Sequence, residues 1–521
     1  MFEKISITPK MILQKFFGYE DFREGQLEII NSILNKHDTL AILPTGGGKS
    51  ICFQIPAIIF GQKISESRST IIISPLISLM KDQVDALNKK GIPACFINSS
   101  QSKEEQEQNL KLISEVGQTT GTKKIQIEDD YMRKTEGSVQ RERGYHGIKI
   151  IYVSPERLLT KNFIKVIKKI KVGMIVVDEA HCINQWGNDF RPSYKNISEF
   201  YKYIKNDFVK VAFTATANKN SQDNICNTLL LKKPNIFINS FSRKNLFIEV
   251  INCQNETIKN LSLLRIINNF TNQTGIIYCA TRKATEQVSE FLKKFEFSSI
   301  PYHGGLEKEQ KEFVQNNFIN GKTKLIVATN AFGMGIDKSD VRFVIHYQIP
   351  GDIENYYQEI GRAGRDGLSS FCYALYFDHD IKIQTSFLKN KNNLEYNLDK
   401  LKKINSFFKT KECRTNTILN YFGEFPENKC GNCDNCKSLF LQKPKHSLLT
   451  KVSENELILI SKLIKQKHSY KNPTNFLTDA EICYLSILKP KNKIDYLKIP
   501  GIGEGWINNW WKTVAPIIDS N

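Results

Sequence analysis

No stretch of this 521-residue chain approaches the roughly 18 to 20 consecutive apolar residues that a membrane span requires. Its opening, "MFEKISITPKMILQKFFGYE", has no apolar segment followed by small residues, so no secretory signal is expected. Disulfide spacing is missing as well. Eight of the 12 cysteines (Cys52, Cys95, Cys182, Cys226, Cys253, Cys279, Cys372, Cys483) stand singly, mostly among apolar neighbours. The other four crowd together, as metal ligands do in a reducing compartment. A soluble, intracellular protein is expected. Negative charge is scarce: 54 acidic against 73 basic side chains leave a formal charge of +19. Such an excess favours a polyanion, nucleic acid before an acidic membrane surface, although an AT-rich genome also enriches Lys and Asn. Charge alone names no activity.

What is present is ordinary core material, 40% apolar and 11% aromatic, enough for three or four domains at about 150 residues each. Short apolar runs recur: "TLAILPT", "STIIISP", "KIIYVSP", "GMIVVDE", "VKVAFTAT", "TGIIYCA", "KLIVATN" and "VRFVIHY". Turn residues bound each run, and longer polar or amphipathic segments separate them. That rhythm predicts parallel strands joined by helical crossovers and buried on both faces. The fold class is therefore α/β, with two tandem parallel-sheet domains over 1–240 and 241–376. A helical, basic segment over 377–440 and a tail over 441–521 follow. The polar stretch 117–147 reads as a surface insertion in the first domain.

"LAILPTGGGKSICF" places a glycine-rich turn after a strand and before a helix. There, backbone N–H groups of Thr45, Gly46, Gly47 and Gly48 would converge on phosphate oxygens. Lys49 would reach the β/γ-phosphates, and Ser50 would bind Mg²⁺. Leu43 breaks the strict G-x-x-x-x-G-K-S pattern, and a P-T-G-x-G-K-S variant fits instead. Asp178 and Glu179, behind their own strand, supply a Mg²⁺ ligand and a group to orient or deprotonate water. Farther on, "YYQEIGRAGRDG" offers Gln358, Arg362 and Arg365. Arginines three apart on one helical face could stabilise charge on a γ-phosphate across a cleft, which is the arrangement of a motor. Cys413, Cys430, Cys433 and Cys436 can close a tetrahedral thiolate site for Zn²⁺, and an iron–sulfur cluster uses similar spacings.

Together these motifs resemble the RecQ-type DNA helicases of superfamily 2 over about residues 10–437. "FFGYEDFREGQ" is similar to motif 0, which implies adenine contacts from Tyr19, Arg23 and Gln26. "TGGGKS", "SPLISLMKDQV", "DEAH" and "FTATA" correspond to motifs I, Ia, II and III. "GIIYCATRKATEQV" with "YHGGL", then "VATNAFGMGIDKSDVRFVIHY" and "QEIGRAGRDG", correspond to motifs IV, V and VI. Motif V adds Asp337 to the implied nucleotide set. The tail of "AHCINQWGNDFRPSY" resembles an aromatic-rich loop particular to this family. It implies that Trp186, Phe190 and Arg191 engage DNA by stacking and phosphate contact. Because they lie a few residues beyond Asp178 and Glu179, one loop would join DNA binding to catalysis.

The resemblance implies tandem RecA-like motor domains, ATP, Mg²⁺ and Zn²⁺. It further implies 3′-to-5′ unwinding in recombination, repair or replication, on single-stranded and duplex DNA and structured junctions. The chain departs from the family pattern at Glu24, Lys244 and Gly304, and none of these removes a functional side chain. Beyond residue 440 no winged-helix pattern is visible. "YLKIPGIGEGWINNWWKTV" resembles either a small helical domain or a helix–hairpin–helix turn that binds DNA through backbone contacts. An RNA helicase of the same superfamily and a DNA-binding scaffold are the alternatives.

Overall fold

The computed structural model describes residues 8–44, 46–62, 68–115, 148–183, 192–333, 338–389, 394–436, 454–469 and 476–520. It divides into two units, Met1–Phe241 and Ser242–Asn521.

Each of the eight apolar runs forms a strand. In the first unit these are β1 (Thr39–Ile42), β2 (Ser69–Ile73), β4 (Ile150–Val153), β5 (Val172–Val177) and β6 (Val209–Thr214). The sheet also holds β3 (Ala94–Ile97) and β7 (Asn235–Ile238), and its order is β3-β4-β2-β5-β6-β1-β7 with parallel pairing throughout. β1, β2, β4, β5 and β6 are buried at every residue. Helices cover both faces of such a sheet, which is why these strands read as continuous apolar runs rather than alternating ones. The order sets β6 between β1 and β5, so the C-terminal ends of three neighbouring strands carry the phosphate loop, Thr214 and Asp178. Carboxyl ends of parallel strands are where such sheets hold ligands.

The second unit repeats the plan with β8 (Leu246–Asn252), β9 (Thr274–Tyr278), β10 (Ser299–Tyr302), β11 (Leu325–Ala328), β12 (Val341–His346) and β13 (Ser370–Tyr376). Its order is β10-β11-β9-β12-β13-β8, again all parallel. β3, β7, β8, β10 and β13 were not among the eight runs. Three of them, β3, β7 and β10, are four-residue edge strands, β7 largely exposed and β10 interrupted by Pro301, a position where a missing N–H does no harm.

The tail was expected to be a separate module, and its described residues instead share the second unit's core. Helices Glu454–His468, Asp479–Leu488, Lys493–Leu497 and Glu504–Asp519 bury Leu459, Leu463, Ile482, Leu485, Tyr496 and Val514 in one cluster with Ile258, Leu261 and Leu264. Cys483 Sγ lies 3.7 Å from the Thr257 carbonyl. Tyr484 stacks on Phe295 at 3.9 Å between centroids and donates to the Lys294 carbonyl, while Arg265 pairs with Glu456. The helix Glu256–Asn268 is consequently buried on every side, as a helix between two apolar layers must be. Trp506, Trp510 and Trp511 pack against this cluster, half-buried. Lys259 is fully enclosed and pairs with Asp380 at 2.8 Å.

Candidate functional site

The phosphate loop is held from beneath by motif 0. Arg23 donates to the Gly46 carbonyl. Gln26 Nε2 donates to the carbonyls of Gly47 and Gly48 at 3.2 and 3.3 Å, and its Oε1 accepts from Arg23 N at 2.9 Å. Gly48 sits at φ 78°, and a Cβ there would overlap Gln26 Nε2, so glycine is required twice over. Tyr19 is half exposed at 53%, free to meet a flat ring. Lys49 and Ser50 open the helix Lys49–Gln62, the position from which a helix N-terminus receives phosphate.

Lys49 Nζ lies 3.5 Å from Glu179 Oε1. Glu179 Oε2 is 3.2 Å from His181 Nδ1, which in turn lies 3.1 Å from Thr214 Oγ1. Motifs I, II and III are thus joined through side chains. Burial lifts the Asp178 carboxyl to about 6, with neighbouring Glu179 adding to the effect. Burial also opposes charge on Glu179, but Lys49 and His181 overcome it and hold that carboxyl well below its usual range. For His181, burial disfavours the cation, yet Cys182 and Glu179 prevail and raise it to about 10. Two adjacent acids therefore differ in proton affinity, which is how one site divides roles between carboxylates. Glu179 has φ 48°, in the left-handed region that residues other than glycine occupy at a cost.

Tyr194, one turn past the aromatic loop, donates from its hydroxyl to the Asp178 carbonyl at 3.0 Å. Trp186, Phe190 and Arg191 lie outside the described residues, as do Thr45 and Asp337.

In the second unit one expectation is corrected. The motif VI helix spans Ile353–Ile360, so Gln358 is helical, but Arg362 and Arg365 occupy the turn beyond it rather than a helical face. Glycines at 361, 364 and 367 end the helix early, with Gly364 at φ 57°. Arg362 donates to the Gly333 carbonyl of motif V. Beneath the helix, His346 Nε2 meets Glu359 Oε2 at 2.8 Å.

All four Sγ atoms of Cys413, Cys430, Cys433 and Cys436 lie within 4.8 Å of one another. Four sulfurs about 2.3 Å from a zinc ion would be about 3.8 Å apart, close to the 3.7 Å between Cys430 and Cys436. Backbone N–H groups of Arg414, Cys430 and Asn432 point at the sulfurs of Cys433, Cys413 and Cys430, at 3.4, 3.3 and 3.2 Å. Donors so placed stabilise thiolates. The residues fit a structural Zn²⁺ site.

Three family models match in series: DEAD/DEAH box helicase over residues 23–224, helicase conserved C-terminal domain over 256–367, and RecQ zinc-binding over 378–437. The chain is 42% identical to the ATP-dependent DNA helicase RecQ of Bacillus subtilis, covering 82% of this chain and 66% of the relative. It is 38% identical to a putative ATP-dependent RNA helicase of Acanthamoeba polyphaga mimivirus, covering 97% and 86%. The chain belongs to the RecQ family of superfamily 2 helicases.

Among solved structures, S. cerevisiae Dbp5 bound to RNA and ADP BeF3 superposes with a TM-score of 0.53 at 16% identity, over 76% of this chain and 97% of that one. At that identity the likeness concerns the fold of the motor units. Beyond the RecQ motifs, the structure adds residues that reading by motif passed over. His181 was visible inside "DEAH" but had no role until Thr214 came to face it. Tyr194, Arg243, Asn245 and Arg414 act on backbone carbonyls and loop residues distant in sequence, so their own segments do not reveal these roles.

Proposed function

We propose that this protein is an ATP-dependent DNA helicase that couples ATP hydrolysis to 3′-to-5′ movement on single-stranded DNA and to duplex unwinding. The observation that carries the reading is the Lys49–Glu179–His181–Thr214 connection at the ends of three adjacent strands. Lys49 binds the outer phosphates, and Glu179 orients or deprotonates the attacking water. Ser50 and Asp178 would hold magnesium, which would offset phosphate charge when bound. The fit is chemical, since Asp178 is a buried carboxylate whose surroundings leave its charge under-compensated. Gln358, Arg362 and Arg365 act on the transferred phosphoryl group. Tyr19, Arg23 and Gln26, with Asp337, select the nucleotide.

Trp186, Phe190 and Arg191 are assigned to unpaired DNA, and the hydrogen bond from Tyr194, just beyond them in sequence, to the Asp178 carbonyl supports their coupling to hydrolysis. The partner is single-stranded and duplex DNA, and the charge of +19 accords with it. Strand displacement on matched DNA and RNA duplexes with 3′ or 5′ tails tests this directly, using the parent and Lys49→Ala. Unwinding of 3′-tailed DNA by the parent alone is expected. Preference for the RNA duplex would instead favour the activity in the mimivirus relative's name.

A further inference from the structure

Arg243, Lys244, Asn245 and Leu246 lead into β8, and both sides of this segment are engaged. Toward motif VI, Arg243 donates from Nη2 to the carbonyls of Ala363 and Gly364 at 2.9 and 3.0 Å, and from Nη1 to that of Gly361 at 3.5 Å. Asn245 Nδ2 donates to the carbonyls of Gly364 and Leu368 at 2.8 and 3.0 Å. Toward the cysteine loop, Asn432 Nδ2 donates to the carbonyls of Lys244 and Leu246, both at 3.0 Å. Asp434 accepts from Val250 N at 3.0 Å and from Arg414 at 2.9 and 3.0 Å. Cys433 itself forms a bridge with Ile248 of β8.

The last carbonyls of any helix lack partners within it, and motif VI ends in a glycine-rich turn with little stiffness of its own. Here a planar guanidinium supplies the partners, and its fixed fork suits several carbonyls at once in a way that an ammonium does not. The fit is tight, since a Cβ on Gly364 would overlap Asn245 Nδ2. The residues held by their main chain, Gly361 to Gly364, bracket Arg362 and adjoin Arg365.

We propose that Arg243 and Asn245 are positioning residues that set the motif VI turn, and that Asn432 ties this strap to the cysteine loop. The assignment rests on the reading of Arg362 and Arg365 as phosphate-directed groups. The strap touches no reacting atom. It fixes the backbone from which the two arginines project, so the loop that would hold zinc also governs how well the turn is aimed.

Two measurements on full-length protein test it: steady-state ATPase with saturating single-stranded DNA, and amide hydrogen exchange over 361–368. Arg243→Gln should lower kcat by about tenfold or more with KM for ATP changed less than about threefold. Exchange at Ala363, Gly364 and Gly367, whose N–H groups are bonded in the parent, should accelerate. Arg243→Lys should not restore kcat. Asn432→Ala should lower kcat by about threefold while retaining zinc, because it removes two hydrogen bonds of modest worth. Arg243→Gln combined with Arg362→Ala should turn over no more slowly than Arg362→Ala alone, as expected of residues acting as a unit.

Unchanged exchange in Arg243→Gln, or additive losses in the double variant, would overturn the strap. Parent-like turnover by Arg362→Ala together with accelerated exchange in Arg243→Gln would instead sink the phosphate-directed reading and leave the strap standing. Should Arg243→Gln fail to fold, Asn245→Ala carries the same exchange test, and unchanged exchange there overturns the proposal equally.

Discussion

At the scale of single residues, chemistry concentrates where types are few and positions fixed. Lys49→Ala should abolish ATP hydrolysis while single-stranded DNA affinity changes little, measured by phosphate release and by anisotropy of a labelled strand. Normal turnover would refute the nucleotide site. Trp186→Ala should uncouple the two activities, since losing one stacked base weakens binding by only about 1–3 kcal/mol. DNA stimulation of the ATPase should fall much more than affinity does, and unchanged stimulation would make Trp186 a packing residue. The motif residues were legible in sequence because each carries its chemistry in its type, a lysine after glycines or paired acids after a strand. Tyr194 and Arg243 were not, because their targets are main-chain carbonyls that every residue possesses.

Elements fail or hold by how their ends are secured. The eight apolar runs announced their strands because burial on both faces demands unbroken apolar sequence. β7 and β10, on sheet edges, carry exposed residues or a proline and gave no such signal. The motif VI helix begins at Asp352, whose Oδ1 accepts from Asn355 N at 2.7 Å. Burial, with Glu354 nearby, lifts this carboxyl to about 7. A raised acid pKa means that the folded form holds the proton more tightly than the unfolded chain, whose aspartates titrate near about 3.9. Its contribution to stability is therefore present below that value and lost as pH rises through about 7. Asp352→Asn keeps the cap acceptor and removes the titration, so its Tm relative to the parent should climb between about pH 4 and pH 7. A difference that stays flat across that range would contradict the assignment. In the cysteine loop, Cys433→Ser should release zinc and lower Tm more than it alters nucleotide binding, because a structural metal supplies folding free energy directly. Stoichiometric iron in the purified parent would overturn the zinc assignment.

For the whole molecule, the tail is where sequence and structure part most. "IPGIGEG" and the nearby lysines suggested an appendage reaching for DNA, but periodicity within a segment cannot say what lies across from it. The opposite face lies in "ETIKNLSLLRIIN", a helix whose apolar residues fall on every side. Removing residues 446–521 would uncover that helix, and each large apolar side chain returned to water loses about 1.5–3 kcal/mol. Several such losses rival the roughly 5–15 kcal/mol that holds a typical protein folded. Poor soluble yield and loss of ATPase are expected, and a well-folded, active truncation would show the tail to be dispensable. The isolated cysteines give the same architecture a built-in reporter. Cys52 and Cys372 are buried thiols pushed up to about 12, and burial likewise raises Cys95, Cys279 and Cys483. Such groups meet an alkylating reagent only when their surroundings open. Because they are spread over both sheets and the tail, modification followed site by site with time would give the order in which the layers come apart, with no foreign probe. Cys483 reacting well before Cys279 and Cys372 would mean that the tail peels first and the second sheet outlives it.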